Sequence, residues 1–234
     1  MEIFYAPDIT GKTYKLDEKE SKHLIRVLRM TKGQEVKLID GKGNLFNGII
    51  TNPDQNKCTI EITLEVRDFE KRNYKLHIAI SPIKNPERFE WFIEKSVEIG
   101  IDEITPLICR NTEKPGIKAE RINNLIIAAM KQSLKAHKTI LNEPCNFKEF
   151  ISRQSESIKL IAHCDSSITR KSISDVYQKD NNAVILIGPE GDFTRDEINF
   201  AIANDYKSVH LGPSRLRTET AGIAACHSIY FMNQ

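Results

Sequence analysis

Two consecutive stretches near the C-terminus decide the fold: AVILIGPEGDFTRDEINFAIAN (183–204) and SVHLGPSRLRTETAGIAACHSIYFM (208–232). Each opens with a short apolar run of strand length, ends that run in Gly-Pro, and then shifts to helical periodicity. The pairs are Gly188-Pro189 and Gly212-Pro213. Glycine lets a backbone approach a ligand, and proline stiffens the bend while withholding a donor. Ligands of open α/β sheets bind at the carboxyl ends of parallel strands, so the two loops are expected to wall one cleft. In the first loop, Thr194-Arg195-Asp196-Glu197 fits a capping box, which reserves Glu197 for structure and leaves Glu190 free. The second loop crowds Arg215, Arg217 and Glu219 beside Thr218 and Thr220 at a helix start. That is more chemistry than complementing a helix dipole requires.

Working outward, strands are expected at 75–81, 103–109 and 157–164, as well as at 183–188 and 208–212. Helices are expected near 86–99, 118–137 and 195–204 and from about 219 to 232. Strand–helix alternation implies a mostly parallel, helix-covered sheet. Residues 1–70 read differently. EVKLID (35–40), LFNGIIT (45–51) and KCTIEITLEV (57–66) are extended, the first and last alternating with period two, and turn signals separate the three. This texture predicts an antiparallel sheet or small barrel. The charged run RDFEKR (67–72) places the domain boundary, giving domains 1–70 and 73–234.

SKHLIRVLRMTK (21–32) reads as a helix with Lys22, Arg26 and Arg29 on one face and Leu24, Val27 and Leu28 on the other. A solvated basic face and a phosphate-contacting face are both consistent with that pattern.

The bulk composition excludes several classes. Lysine plus arginine number 34 against 32 acidic residues, a net charge of +2, so the chain is no histone-like polycation. MEIFYAPDIT (1–10) lacks the basic and apolar regions of a secretory signal, and no apolar run is long enough to cross a membrane. Five scattered cysteines without a CxxC pair argue against zinc and disulfides, so no metal site and a cytoplasmic location are expected. There is no GxGxxG after the first strand of the second domain, no GxxxxGK[ST] and no zinc-deaminase motif. Cys109 and Cys164, near strand ends, lack a histidine partner that would make either a nucleophile.

IGPEGDFTRDE (187–197) together with LGPSRLRTETA (211–221) resembles the bacterial 16S ribosomal RNA uridine-N3 methyltransferases, the RsmE group of the SPOUT superfamily. The likeness extends to HLIRVLRMTKGQEVKLIDGKG (23–43), to Ser81-Pro82 with Lys84, to EKSVEIGIDEITPL (94–107), and to Arg121 with AAMKQSLKAH (128–137). It implies an N-terminal PUA-like β-barrel and a C-terminal trefoil-knotted α/β methyltransferase domain. It also implies S-adenosylmethionine as cofactor, 16S rRNA of the small ribosomal subunit as partner, and a homodimer. The chain departs from the pattern where Asp192 follows Gly191, many relatives having Gly-Gly there, where Lys135 stands for a common arginine, and near Lys138 and Thr139, where the family often has proline.

Methylation at uridine N3 requires that its proton leave while negative charge builds on the flanking carbonyl oxygens. Arg217 is expected to stabilise that charge, and Glu190 or Glu219 to handle the proton. Ile187, Gly188, Pro189, Gly191, Leu211, Gly212, Leu216 and Thr220 are expected to hold the cofactor. Lys22, Arg26, Arg29 and Arg215 are expected to contact RNA. The alternatives are a ribose 2′-O-methyltransferase of the same superfamily, acting on rRNA or tRNA, a non-catalytic RNA-binding protein, and a metabolic enzyme with another nucleotide cofactor. The final helix, with Ile223, Ala224, Ile229, Tyr230, Phe231 and Met232, is the expected dimer surface.

Overall fold

The computed structural model describes residues 3–234, so Met1 and Glu2, where the expected first domain begins, lie outside the described residues. The chain divides into two units: Met1–Lys71 with Ile127–Lys138, and Arg72–Ile126 with Thr139–Gln234. The change of texture near residue 70 marks only one of these division points. Residues 127–138 group with the first unit, although the sequence reading placed them in the second domain.

In the first unit, β1 (Ile3–Tyr5), β2 (Thr13–Lys15), β3 (Glu35–Ile39), β4 (Leu45–Asn52) and β5 (Thr59–Val66) form one sheet, in the order β1-β3-β4-β5-β2. The β3–β4–β5 meander is antiparallel, as its alternation predicts, whereas β1 runs parallel to β3. Phe4, Leu24, Leu38, Ile50 and Ile60 fill its core. Gly43 sits at φ +104°, where any side chain is strained, and a Cβ there would also lie 2.4 Å from the His137 ring.

The continuous basic helix expected over 21–32 does not form. Asp17 caps α1 (Glu18–Lys22), accepting from the Glu20 N–H at 2.7 Å, and the chain then widens into a π-helical turn, His23–Val27. The Leu28 N–H reaches back to the His23 carbonyl at 3.0 Å, and Arg29 reverses the backbone at φ +56°. The wider turn breaks the 3.6-residue phase. Arg29 therefore leaves the face of Lys22 and Arg26, and Val27, expected inward, is 66% exposed while Leu24 is fully buried.

The second unit begins with β6 (Leu76–Ile80), α2 (Pro86–Ile99), β7 (Glu103–Ile108) and α3 (Ala119–Gln132), whose last turns belong to the first unit. It continues through β8 (Ile140–Leu141), β9 (Cys145–Asn146), α4 (Phe147–Arg153), β10 (Ile158–Ala162), β11 (Lys171–Ser172) and α5 (Ile173–Val176). It closes with β12 (Ala183–Ile187), α6 (Arg195–Ala203), β13 (Lys207–His210) and α7 (Thr218–Met232). All pairings in its sheet are parallel. The order is β11-β13-β10-β12-β6-β7-β8, with β9 also on β7. Being covered on both sides, β6 and β12 are buried along their whole length, which is why they read as unbroken apolar runs.

Asn85 and Pro86 start α2, and Gly100 ends it in the left-handed conformation at φ +112°. The capping box at the head of α6 forms as read, with Glu197 Oε2 accepting from the Thr194 N–H at 2.8 Å. α7 packs on α2, β6 and β12. Ile229, expected on a partner surface, is instead fully buried within the unit, while Phe231 is 69% exposed.

At the α2–α7 crossing, a Cβ on Gly222 would lie 2.5 Å from the Phe92 ring and 3.0 Å from Ile80 Cδ1, both side chains being fully buried. Gly222→Val should therefore destabilise the protein by about 2 kcal/mol or more, overpacking outweighing any gain in helix propensity. Urea denaturation measures this, and an unchanged midpoint would mean that the crossing relaxes freely.

Candidate active site

Because β10 lies between β12 and β13, the carboxyl ends of these three strands open into one cleft. A cavity of about 370 Å³ occupies it, within the usual range for small-molecule sites. The first loop contributes Ile187, Gly188, Pro189, Glu190 and Asp192, and the second contributes Leu211, Gly212, Arg215, Leu216 and Arg217. Thr218, at the start of α7, joins the two loops. Its hydroxyl donates to the Gly188 carbonyl at 3.1 Å in a buried setting. Gly188 also accommodates Phe193, whose ring would lie 3.1 Å from an added Cβ.

Of the residues assigned to the cofactor from sequence, Ile187, Gly188, Pro189, Leu211, Gly212 and Leu216 line this cavity. Gly191 and Thr220 do not. The Gly191 carbonyl accepts from Asn111 Nδ2 at 3.4 Å, and Thr220 lines an adjoining open depression with Trp91, Arg88, Arg215, Arg217 and Glu219.

Arg217, Glu190 and Glu219 all reach the cavity wall, in different states. The Arg217 backbone is the N-cap of α7, which fixes its Cα, but its side chain is exposed rather than clamped from both sides. The Glu190 side chain is exposed, and one oxygen accepts from the Lys84 N–H at 3.1 Å. Glu219 is buried, with Arg88 Nε 3.9 Å away. Arg215 is exposed on the same loop.

Lys22 and Arg26, in the first unit, line a separate cavity of about 390 Å³ with Lys19, His23 and Lys131. Lys22 pairs with Glu18, Arg26 donates to Gln55 at 2.6 Å, and Lys131 bonds the buried Glu20 at 2.6 Å. Arg29 is exposed and does not line it.

The sequence reading missed a third wall of the cleft, where Ala162 ends β10, His163 and Cys164 follow it, and Arg170 flanks them. Cys164 is exposed, while Cys109 is buried and its thiol is pushed well up by burial. His163 is 4% exposed, and neither ring nitrogen has a partner among the described residues. Burial depresses its basicity, Asp192 opposing the shift and Arg170 adding to it. Among the described residues no cluster of His, Cys, Asp or Glu could hold a metal ion.

Asp192 adopts the left-handed conformation at φ +62°, which glycine takes without strain. Its carboxylate offsets that strain, accepting from the Cys164 N–H at 2.7 Å and the Phe193 N–H at 2.8 Å.

Comparison with known proteins sets the class first. A family model described as an RNA methyltransferase domain matches residues 70–230, and one described as an RNA methyltransferase PUA domain matches residues 16–63. The chain is an RNA methyltransferase. It is 30% identical over 177 residues to the ribosomal RNA small subunit methyltransferase E of Mesomycoplasma hyopneumoniae, covering 73% of this chain and 75% of that one. A crystal structure described as a "probable rRNA-methyltransferase" from Porphyromonas gingivalis matches with TM-score 0.94 and 38% identity, covering 100% of this chain and 98% of the other. The ribosomal RNA small subunit methyltransferase E of Neisseria gonorrhoeae, solved bound to S-adenosyl methionine, matches with TM-score 0.89 and 25% identity over 100% and 98% of the two chains. The chain belongs to the small-subunit ribosomal RNA methyltransferase E family.

Asp192→Ala should destabilise the protein by about 2 kcal/mol, since it removes two hydrogen bonds and keeps the left-handed strain. Asp192→Gly should cost about 1 kcal/mol less, because it removes the same bonds and relaxes the backbone. Equal urea midpoints for the two variants would show that the strain is negligible.

Proposed function

We propose that this enzyme transfers the methyl group of S-adenosylmethionine to N3 of a uridine in the 16S RNA of the small ribosomal subunit, in the cytoplasm. The observation that carries this reading is the cavity at the ends of β10, β12 and β13. Two glycine loops cradle it, an unpartnered buried histidine lies in its wall, and Arg88, Arg215, Arg217 and Glu219 crowd its rim. Those residues suit a nucleoside cofactor. Ile187, Gly188, Pro189, Leu211, Gly212 and Leu216 would hold it, and when bound it supplies an electrophilic methyl group.

The protein's own part is to move a proton and stabilise an anion. A uridine seated at the rim loses its N3 proton, and charge spreads over its two carbonyl oxygens, where Arg217, anchored through its backbone at the head of α7, brings positive charge. Glu219 is the better placed acceptor for the proton. It is buried in the cavity wall near Arg88, whereas Glu190 is exposed and holds the Lys84 N–H. The base must be unstacked to reach the site, which favours a structured RNA substrate.

The finer architecture belongs to the same proposal. The first unit closes as a PUA-like barrel, the continuous part of which is the expected domain 1–70, and the methyltransferase domain is drawn from 73–234 without the strap 127–138. The residues 211–217 that lead from β13 to α7 complete a trefoil knot. A homodimer forms through the exposed apolar groups Trp91 and Phe231 of α2 and α7.

Mass spectrometry of nucleosides from treated RNA should show 3-methyluridine, and 2′-O-methylation in its place would overturn the base reading. Arg217→Ala should slow single-turnover methylation about 100-fold at saturating RNA and cofactor, the scale of one lost transition-state donor. Arg217→Lys should restore only part, lacking the planar fork. A normal rate in Arg217→Ala would move the role to Arg215.

Lys22 and Arg26 act on affinity through phosphates. Replacing both with alanine should weaken RNA binding and flatten its salt dependence by about one unit of slope per lost contact. Adding Arg29→Ala should change the slope less than either. Salt titration of RNA binding reads both effects, and an unchanged slope would make this a solvated surface only.

A further inference from the structure

His163 directly follows β10, in the wall of the cavity that also contains the two glycine loops. A neutral imidazole carries one donor and one acceptor, and buried polar groups in native proteins are nearly always paired. Here neither nitrogen has a protein partner among the described residues, although the residue is 4% exposed.

The backbone that presents this ring is fixed through a single peptide group. The His163 carbonyl accepts from Arg170 Nη1 at 2.7 Å, and the adjoining Cys164 N–H donates to Asp192 Oδ2 at 2.7 Å. These two atoms belong to the same peptide, which is therefore clamped from both sides. The second Asp192 oxygen accepts from the Phe193 N–H. Asp192 and Arg170 are thus engaged with backbone, and Asp165, the third charged neighbour, accepts from Ser167, which leaves the imidazole unpaired. Burial and Arg170 favour its neutral form, with Asp192 opposing them. A buried ring on a fixed backbone, with unused hydrogen-bonding capacity, is suited to a neutral ligand group.

We infer that His163 recognises the adenosine portion of the cofactor by hydrogen bonding. This rests on the S-adenosylmethionine reading above. The carboxylate of the amino acid portion calls for cationic partners, which Arg88 and Arg215 provide from α2 and the second loop, leaving Arg217 and Glu219 to the uridine. His163 is joined in the wall by Ala162 and Val209, and a neutral base or sugar hydroxyl suits that company.

The test is calorimetric titration of the full chain with S-adenosylhomocysteine and with 5′-methylthioadenosine, which lacks the amino acid portion. His163→Phe keeps a ring and removes both nitrogens. Both ligands should bind this variant about tenfold more weakly. The unliganded variant should melt no lower than the wild type, since the ring has no protein partner to lose. His163→Asn, which retains a neutral donor and acceptor, should recover part of the affinity and stands in if the phenylalanine variant fails to fold. Unchanged binding of 5′-methylthioadenosine would overturn the assignment, whether or not S-adenosylhomocysteine weakens. A lower melting temperature with unchanged affinity would make His163 a structural residue and overturn it too. Failure of the wild type to bind either ligand would remove the cofactor reading itself, and this inference with it.

Discussion

The second unit depends on how closely α7 can lie on α2. Gly222 has no side chain, and Phe92 and Ile80 occupy the space that one would need. That approach sets the angle at which the last helix crosses the sheet and so where its first turn falls. Thr218 then meets the Gly188 carbonyl, Glu219 becomes buried beside Arg88, and the Arg217 backbone caps the helix. Groups from three distant parts of the chain reach one cleft because a single helix is seated correctly. The chemistry at the head of α7 is thus governed by packing at its fifth residue.

The sheet of the second unit was legible because its central strands are buried on both faces and its helices carry clear boundaries. Asn85-Pro86 before α2, Gly100 after it and the Thr194–Glu197 box are local signals with local causes. The short pieces α4, α5, β8, β9 and β11 were not legible, being too brief to show periodicity. The basic segment misled for a different reason. Its charges repeat at α-helical spacing, while the backbone adopts a π turn and then reverses at Arg29, a choice that residue pattern does not encode.

The candidate site divides in the same way. Two walls follow from Gly-Pro at the ends of consecutive strands, a signal within single loops. The third wall, Ala162 to Cys164, becomes part of the cleft only because β10 pairs with both β12 and β13. Strand order is a long-range property, and 157–164 read alone is one more apolar strand. Asp192 lies between these cases. Aspartate where many relatives carry glycine hints that a side chain occupies a glycine-type backbone, but the Cys164 N–H that compensates it comes from a different strand end.

The first unit is completed by residues that come much later in the chain. Residues 127–138 supply the carbonyl of Ala136 to the Gly43 N–H, the Lys138 N–H to the Gly41 carbonyl, and the Lys131 ammonium to the buried Glu20. Translation delivers residues in order, so the N-terminal sheet leaves the ribosome without this strap and with Glu20 unpaired. It waits for more than fifty further residues, among them β6 and β7 of the other unit, before it can close. Such non-local closure is slow and leaves sheet surface uncovered in the interval. The unit that begins first therefore closes only after residues 72–126 of the other have been made, and the other must still wait for residues 139–234.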